Sequence, residues 1–194
     1  MSNRLETFIA GMTRLVDADL PEAALVAQAR PLLAELIAHD DWLPDRLAVP
    51  GHDTYRQYLL HCDPRERFSV LSFVWKPGQS TPVHDHTVWG LVGVMRGAEL
   101  CEEFNGAAAG KPFHASGKHR IEPGEIDRLS PTVGDIHVVS NAGQETAVSI
   151  HVYGANIGAV RRHVYDPATG EAKEFVSGYH NRTLPNLWDR SGPG

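Results

Sequence analysis

Two histidines one residue apart, His84 and His86, carry the strongest chemical signal in this sequence. In a β-strand, successive side chains point to opposite faces, so these two imidazoles share a face and Asp85 points away. A third histidine, His137, follows a Gly-Asp turn at a distance along the chain. Three neutral imidazoles from two strands predict a metal site that leaves coordination positions open for substrate.

A second polar pattern lies close to the C-terminal end of the predicted strands. Ser149, His151 and Tyr153 alternate with aliphatic residues, which places the three polar side chains in one row of a strand. A half-buried strand whose polar row faces water gives the same alternation. Beside a metal, the row would instead form a hydrogen-bond relay in which the serine orients the histidine, and the histidine orients the tyrosine hydroxyl or accepts a hydrogen bond from it.

The elements that must position these side chains are a helical lead-in and many short strands. Residues 1–45 have apolar residues at helical spacing, with Pro21 at the start of a second helix and Pro31 predicted to kink or split it. The sequence after residue 53 changes to short β-type runs separated by Gly and Pro. The candidate strands are Thr54–Leu60, Phe68–Trp75, Val83–Thr87, Leu91–Met95, Glu99–Phe104, Glu125–Leu129, Ile136–Ser140, Thr146–Tyr153 and Val160–Tyr165.

This order of elements predicts a mainly β protein, a sandwich or barrel with helices packed on one side. We expect one domain, with a helical lead-in over 1–45, a β-barrel over 46–182 and a loose tail over 183–194. The net charge of −6 without a basic cluster argues against nucleic acid or an anionic membrane as a partner. The absence of a signal peptide and of a bilayer-length apolar run predicts a cytoplasmic protein, in which Cys62 and Cys101 are reduced structural thiols.

Two sequence frames around the histidines resemble the paired motifs of the cupin superfamily, a double-stranded β-helix (jelly-roll) barrel. The first is G-x5-H-x-H at Gly78–His86, and the second is G-x2-H-x3-N at Gly134–Asn141. Many cupins carry a Glu ligand shortly after the second histidine, whereas residues 89–91 here read Trp-Gly-Leu and the nearest acid is Glu99. The site is therefore expected to be all-histidine, and its metal, with its charge uncompensated, favours an anionic ligand such as a thiolate.

The combination of H-D-H-T, G-D-x-H and S-x-H-x-Y resembles the thiol dioxygenases, the cysteine dioxygenase type I family. The resemblance runs from about Asp53 to Tyr179. It implies that Fe(II) is the cofactor, held by the three histidines, and that the Ser-His-Tyr row is catalytic. It also implies that Tyr153 lies near bound O2 and substrate.

Two departures from the usual motifs of that family refine the resemblance. Cysteine-specific members of mammalian type carry a Cys after H-x-H-T that crosslinks to the Tyr, and residues 88–91 contain none. They also hold the substrate carboxylate with an Arg in a Y-x-R segment, where this chain has Gln57. The chain thus resembles the Gln-type bacterial branch, which is similar to 3-mercaptopropionate dioxygenase. A neutral amide requires a separate cation for the carboxylate, for which the resemblance favours Arg162, with Arg161 as a competitor on the opposite strand face.

The function implied is Fe(II)-dependent addition of both atoms of O2 to the sulfur of a small mercapto-carboxylate, converting 3-mercaptopropionate to 3-sulfinopropionate. Gln57, Arg162 and Tyr153 are the expected substrate contacts. Two alternatives stay open: a cysteine or broad thiol dioxygenase, and a cupin that binds metal and ligand without turnover. The sequence carries no signal for an oligomeric state. The other histidines fit no shared frame and are expected on the surface or in the core: His39, His52, His61, His114, His119, His163 and His180.

Overall fold

A computed structural model describes residues 4–105, 111–185 and 187. Two helices lead into the β-domain, α1 (Arg4–Asp17) and α2 (Glu22–Ile37), followed by a 3-10 turn at Asp45–Leu47. The predicted split at Pro31 does not occur, because α2 continues through it and the turn beyond it buries Leu33 in the core. No described helix is both long and apolar enough to cross a membrane. The tail predicted from residue 183 lies largely outside the described residues.

Eleven described strands follow the helices, and nine of them overlap the predicted ones. The other two, His114–Ile121 and Ala172–Phe175, are short of apolar residues and largely exposed, so they lack the alternation that reveals a half-buried strand. The bounds are β1 Arg56–Cys62, β2 Ser69–Trp75, β3 Val83–His84, β4 Gly90–Arg96, β5 Glu99–Asn105, β6 His114–Ile121, β7 Ile126–Leu129, β8 His137–Asn141, β9 Ala147–Tyr153, β10 Arg162–Tyr165 and β11 Ala172–Phe175.

The strands form two antiparallel sheets. One has the order β1-β2-β9-β4-β7, and the other has the order β11-β10-β3-β8-β5-β6. Strands that follow one another in the chain repeatedly cross from one sheet to the other, as in a double-stranded β-helix. The fold is therefore the mainly β, cupin-type barrel that the sequence predicts, with the two helices packed outside it.

Strand β9 shows how the helices and the barrel interior divide the sheet between them. One face of this strand packs in the same apolar cluster as the helices, through Val148, Ile150 and Val152. The other face carries Ser149, His151 and Tyr153, all buried. Helix α2 packs against the neighbouring β4, where Gly93 has no side chain and Ile37 fills the space. The alternation seen in the sequence thus separates a helix-facing apolar row from a polar row inside the barrel.

Candidate metal centre

Three histidine side chains converge inside the barrel, at the meeting of β3 and β8. His84 and His137 are direct cross-strand partners, and His86 lies two residues beyond His84. The ring centroids are 4.7 to 4.9 Å apart, and the candidate ligand nitrogens all lie within 4.8 Å of one another. All three residues are buried. The structure therefore brings together the three imidazoles that the sequence nominates.

The Nδ1 atom of each imidazole faces a different partner, outside the cluster. His84 Nδ1 lies 3.0 Å from the Pro82 carbonyl oxygen. His86 Nδ1 lies 3.2 Å from Oδ1 of Asp135, and His137 Nδ1 lies 3.5 Å from Sγ of Cys101. Partners of this kind fix the tautomer and ring orientation of a metal-ligating histidine. The three Nε2 atoms are then left to bind a metal ion.

Asp135 also holds the backbone that carries His86. Its carboxylate accepts hydrogen bonds from the backbone N–H of His86 at 3.1 Å and from that of Thr87 at 2.8 Å. Thr87 has a φ of 61°, a left-handed conformation that a β-branched residue rarely adopts. The three contacts of this one carboxylate explain how the turn is kept in place. Asp135 was not singled out in the sequence, although it is part of the Gly-Asp turn before the third histidine.

Asp85 points away from the cluster, as the strand geometry predicts. Its carboxylate accepts hydrogen bonds from the backbone N–H of His163 at 2.7 Å and from the Tyr165 hydroxyl at 2.7 Å. The His163 ring lies 2.9 Å from the same carboxylate. His163 and Tyr165 belong to β10, the strand that also carries Arg162. Asp85 therefore connects the segment of His84 and His86 to β10, the strand that carries the arginine expected to bind the substrate carboxylate.

The trihistidine cluster fits a divalent transition-metal ion. Burial holds the pKa of His84 and of His137 well below the usual value, and the neighbouring His86 lowers both further. Neutral imidazoles keep the lone pairs that a metal requires, and imidazole suits iron, zinc, copper and nickel. The nearby carboxylate of Asp135 is engaged by backbone N–H groups. Among the described residues, the ligand atoms that come together here are three imidazole nitrogens.

The polar row of β9 forms a continuous hydrogen-bonded line next to this cluster. Ser149 Oγ lies 2.8 Å from His151 Nε2, and His151 Nδ1 lies 2.8 Å from the Tyr153 hydroxyl. Burial holds the pKa of His151 well below its usual value, so its imidazole is neutral. The Tyr153 ring stacks on that of His86, with 5.4 Å between centroids and 15° between planes. The row is therefore buried and ends at a metal-ligand candidate, instead of facing water.

Gly90 is the residue of β4 that lies directly opposite Tyr153. A Cβ atom at position 90 would lie 2.9 Å from the Tyr153 ring and 2.9 Å from the Leu129 side chain. Glycine is thus the residue that leaves room for the tyrosine ring at this point of the barrel.

Glu99 lies near the Ser149 end of the row, and sequence reasoning assigned it no role. Its side chain is fully buried, and burial raises its pKa to about 7, partly offset by Ser149 and the Trp75 indole. Within the described part of the chain, neither Glu99 oxygen nor Trp75 Nε1 has a partner that meets hydrogen-bond geometry. A buried carboxyl group that lacks such partners is held more readily in its neutral form.

A cavity of about 300 Å³ opens beside the trihistidine cluster. Its lining includes His84, Tyr153, Arg162, Gln57, Ser177 and His180. The cavity therefore combines one candidate metal ligand with all three expected substrate contacts, which are Gln57, Arg162 and Tyr153, the last member of the polar row. A volume of this size suits a small organic molecule.

Arg162 is buried at the cavity wall, with 5% of its surface exposed. One guanidinium nitrogen donates to Ser177 Oγ at 2.8 Å, and the group lies 4.7 Å from the centre of the Phe175 ring. Its Nε has no hydrogen-bond partner, and no ion pair involves it within the residues described. Arg161 instead points outward, 80% exposed, 3.7 Å from Glu174. Of the two arginines, only Arg162 lines the cavity.

Gln57 and His180 also line the cavity. The Gln57 amide donates to the Gly178 carbonyl, and its backbone N–H donates to His180 Nδ1 at 3.1 Å. The expectation that His180 is an ordinary core or surface residue is therefore incomplete, because it lines the cavity. Ser177 and His180 were not predicted from the sequence, because they lie in a segment without a repeated pattern. Only the fold brings them close to Gln57 and Arg162.

No protein-family model matches the chain. An uncharacterised protein with a double-stranded β-helix domain, from Klebsiella pneumoniae subsp. pneumoniae, is 18% identical with a TM-score of 0.48, over 62% of this chain and 95% of that one. A cupin-like protein from Thermotoga maritima is 22% identical with a TM-score of 0.43, over 59% and 80% of the two chains. An oxalate oxidase in complex with the substrate analogue glycolate is 20% identical with a TM-score of 0.45, over 62% and 63%. At these identities the likeness is one of fold.

Proposed function

We propose that this protein is an Fe(II)-dependent thiol dioxygenase of the cysteine dioxygenase type I family, from its Gln-type bacterial branch. The substrate proposed is a small mercapto-carboxylate, 3-mercaptopropionate, and the product is 3-sulfinopropionate. The observation that carries the proposal is one cavity bordered by His84 of the trihistidine cluster, by Tyr153 and by Arg162, whose Nε has no partner among the described residues. A cytoplasmic location and independence from membrane and nucleic acid are part of the same proposal.

The reaction needs no further reductant. The thiol loses four electrons and its proton, O2 accepts the four electrons, and both oxygen atoms end on sulfur as the sulfinate. Fe(II) held by His84, His86 and His137 would supply the redox chemistry that brings thiolate and O2 together. Iron is proposed over zinc because zinc binds similar ligands but is redox-inert.

Arg162 supplies the charge that selects a carboxylated substrate. Burial lowers the pKa of its guanidinium, and an arginine side chain nevertheless stays cationic at neutral pH. A buried cation without an acidic partner is costly, and a substrate carboxylate would remove that cost. The Nε, which has no partner within the described part of the chain, and the planar guanidinium favour a carboxylate over a neutral group. Gln57 lines the same cavity and offers amide hydrogen bonds without charge.

The polar row of β9 links the Tyr153 hydroxyl to Ser149 through His151. A neutral His151 carries one N–H, so when Ser149 donates to Nε2, the Nδ1–H group donates to the tyrosine oxygen. In that arrangement the tyrosine O–H would be available to a ligand in the cavity, where it would stabilise negative charge that develops on oxygen. Such a hydrogen-bonded row favours an enzyme over a cupin that binds metal and ligand without turnover, because binding alone does not require the row.

Oxygen consumption tests the proposal directly. Iron-loaded protein is supplied with 3-mercaptopropionate, cysteine or cysteamine, and the sulfinate product is quantified. We expect the highest kcat/KM with 3-mercaptopropionate and the lowest with cysteamine, which has no carboxylate. Higher kcat/KM with cysteine would indicate the cysteine dioxygenase alternative. No oxygen uptake with any of the thiols at full iron occupancy would refute the enzyme assignment in favour of a binding protein.

The two neighbouring arginines provide a matched pair of variants. Arg162→Ala should raise KM for 3-mercaptopropionate and change KM for cysteamine little, because only the first substrate has a carboxylate. Arg161→Ala is the control, since that side chain is exposed near Glu174. The same rise of KM in the Arg161 variant would show that the wrong arginine has been assigned.

A further inference from the structure

A second cluster of metal-ligating side chains lies behind His137, at the edge of the barrel. Cys101, His119 and Asp127 each offer one ligand atom, and these atoms lie within 4.8 Å of one another. His119 Nε2 is 2.9 Å from Oδ2 of Asp127. Cys101 and His119 are direct cross-strand partners on β5 and β6, whereas Asp127 belongs to β7 of the other sheet. The cluster therefore joins edge strands of opposite sheets.

The cluster is built so that an ion from solvent can reach a protected thiol. Cys101 is 1% exposed, whereas the side chains of His119 and Asp127 are 42% and 27% exposed. The imidazole and the carboxylate thus form the outer side of the cluster, and sulfur forms its inner side. This arrangement separates Cys101 from Cys62, which is half-buried on β1 of the other sheet.

The chemistry of the three donors suits a divalent cation. A coordinating thiol loses its proton when a metal binds. The thiolate and the carboxylate then balance the two positive charges of the ion, so the filled site would be neutral.

We propose that Cys101, His119 and Asp127 form a second divalent-metal site, suited to zinc and distinct from the trihistidine centre. Sulfur, nitrogen and oxygen donors are the three kinds of protein ligand that zinc accepts, and three of them leave a fourth tetrahedral position for water. Metal binding would release the thiol proton to solvent. The site does not depend on thiol oxidation, because none of its ligands borders the substrate cavity.

Two consequences follow from the position of this site. A bound ion would connect β6 of one sheet to β7 of the other, and a ligand that binds only the folded chain stabilises it. It would also act on His137, whose Nδ1 lies 3.5 Å from Cys101 Sγ. A metal-bound thiolate is a better acceptor for that N–H than a thiol, and such outer contacts raise the basicity of a metal-ligating histidine.

Cobalt(II) provides a direct test, because it replaces zinc and reports on sulfur. Chelator-treated full-length protein is titrated with Co(II) and followed by absorption. A thiolate-to-cobalt charge-transfer band in the near ultraviolet identifies a cysteine ligand, which the trihistidine centre lacks. We expect this band to saturate when one equivalent of Co(II) has bound at the Cys101 site. The d–d absorption of Co(II) bound at the trihistidine centre should appear in addition to it. Excess zinc should abolish it.

Variants show which residues give rise to this absorption band. Cys101→Ser should remove it, and Cys62→Ser, the matched control, should retain it. His119→Ala changes a partly exposed side chain, so it preserves the fold and should weaken Co(II) binding in this band by at least ~10-fold. Absence of the band in the wild-type protein, its survival in Cys101→Ser, or unchanged affinity in His119→Ala would overturn the proposal. Each outcome is independent of whether the protein oxidises thiols.

Discussion

The buried carboxyl group of Glu99 makes the stability of this protein depend on pH in an unusual direction. Burial raises the pKa of Glu99 from 4.5 to about 7. Between these values the folded chain keeps a proton that the unfolded chain has released, so stability falls as the pH rises. The contribution is fully present below the unfolded pKa and is lost as the pH passes through the folded pKa. Paired surface carboxylates act in the opposite direction.

The magnitude follows from the pKa difference. Each pKa unit corresponds to about 1.4 kcal/mol. Through this group alone, the unfolding free energy should fall by about 2.5 kcal/mol from pH ~5 to pH ~8. Glu99→Gln keeps the shape of the side chain and removes its charge, so the variant lacks this component. The relevant quantity is the wild-type unfolding free energy minus that of Glu99→Gln, in which the titration of the other groups cancels.

Urea unfolding, followed by tryptophan fluorescence in the same metal state throughout, measures this difference at acidic, neutral and alkaline pH. Glu171→Gln, at an exposed position after β10, controls for the loss of one formal charge. We expect the unfolding free energy of Glu99→Gln to increase relative to that of the wild-type protein as the pH rises. A difference that stays constant, or that changes in the opposite direction, would refute the assignment of Glu99 as a buried acid protonated near neutrality.

Three other predictions concern the candidate metal centre and the row beside it. Asp135→Asn should lower iron affinity roughly 10- to 100-fold, measured by chelator competition, because it weakens the support of His86; unchanged affinity would contradict this. Gly90→Ala should cost about 1–3 kcal/mol in chemical unfolding by overpacking the Tyr153 ring, whereas Gly143→Ala, which has no neighbour closer than 3.6 Å, serves as its control. Tyr153→Phe should retain iron but lower kcat by about 100-fold or more, and equal kcat would remove the hydroxyl from the mechanism.

Local patterns in the sequence predicted the parts of the molecule that depend on strand alternation. His84 and His86 share a side of the chain, and Ser149, His151 and Tyr153 form one buried row, because both follow from the two-residue period of a strand. The same period could say that Arg161 and Arg162 point to opposite sides. It could not say which side is the cavity, since that depends on how β10 packs beside β3.

Features that arise from contacts between distant segments escaped prediction. Cys101 meets His137 through the pairing of β5 with β8, and His119 meets Asp127 across the two sheets. His180 reaches Gln57 from more than a hundred residues away. The strand β6 was missed because its residues are mostly exposed and carry no apolar alternation. In each case the sequence names the residue but carries no local signal of its neighbour.

The hydrogen bonds that Asp135 makes to the turn after His84 have a consequence for how metal enters the protein. A left-handed Thr87 costs on the order of 1–3 kcal/mol, and the fold sustains it through that one carboxylate. Because Asp135 is part of the barrel, the folded barrel itself orders the His86 backbone, which lowers the conformational entropy that metal binding must overcome there. This differs from zinc fingers, whose chains fold only as they bind. We therefore expect the folded chain to bind and release metal ions without refolding. Which ion it holds then depends on which ions the surroundings supply and on how quickly each one dissociates.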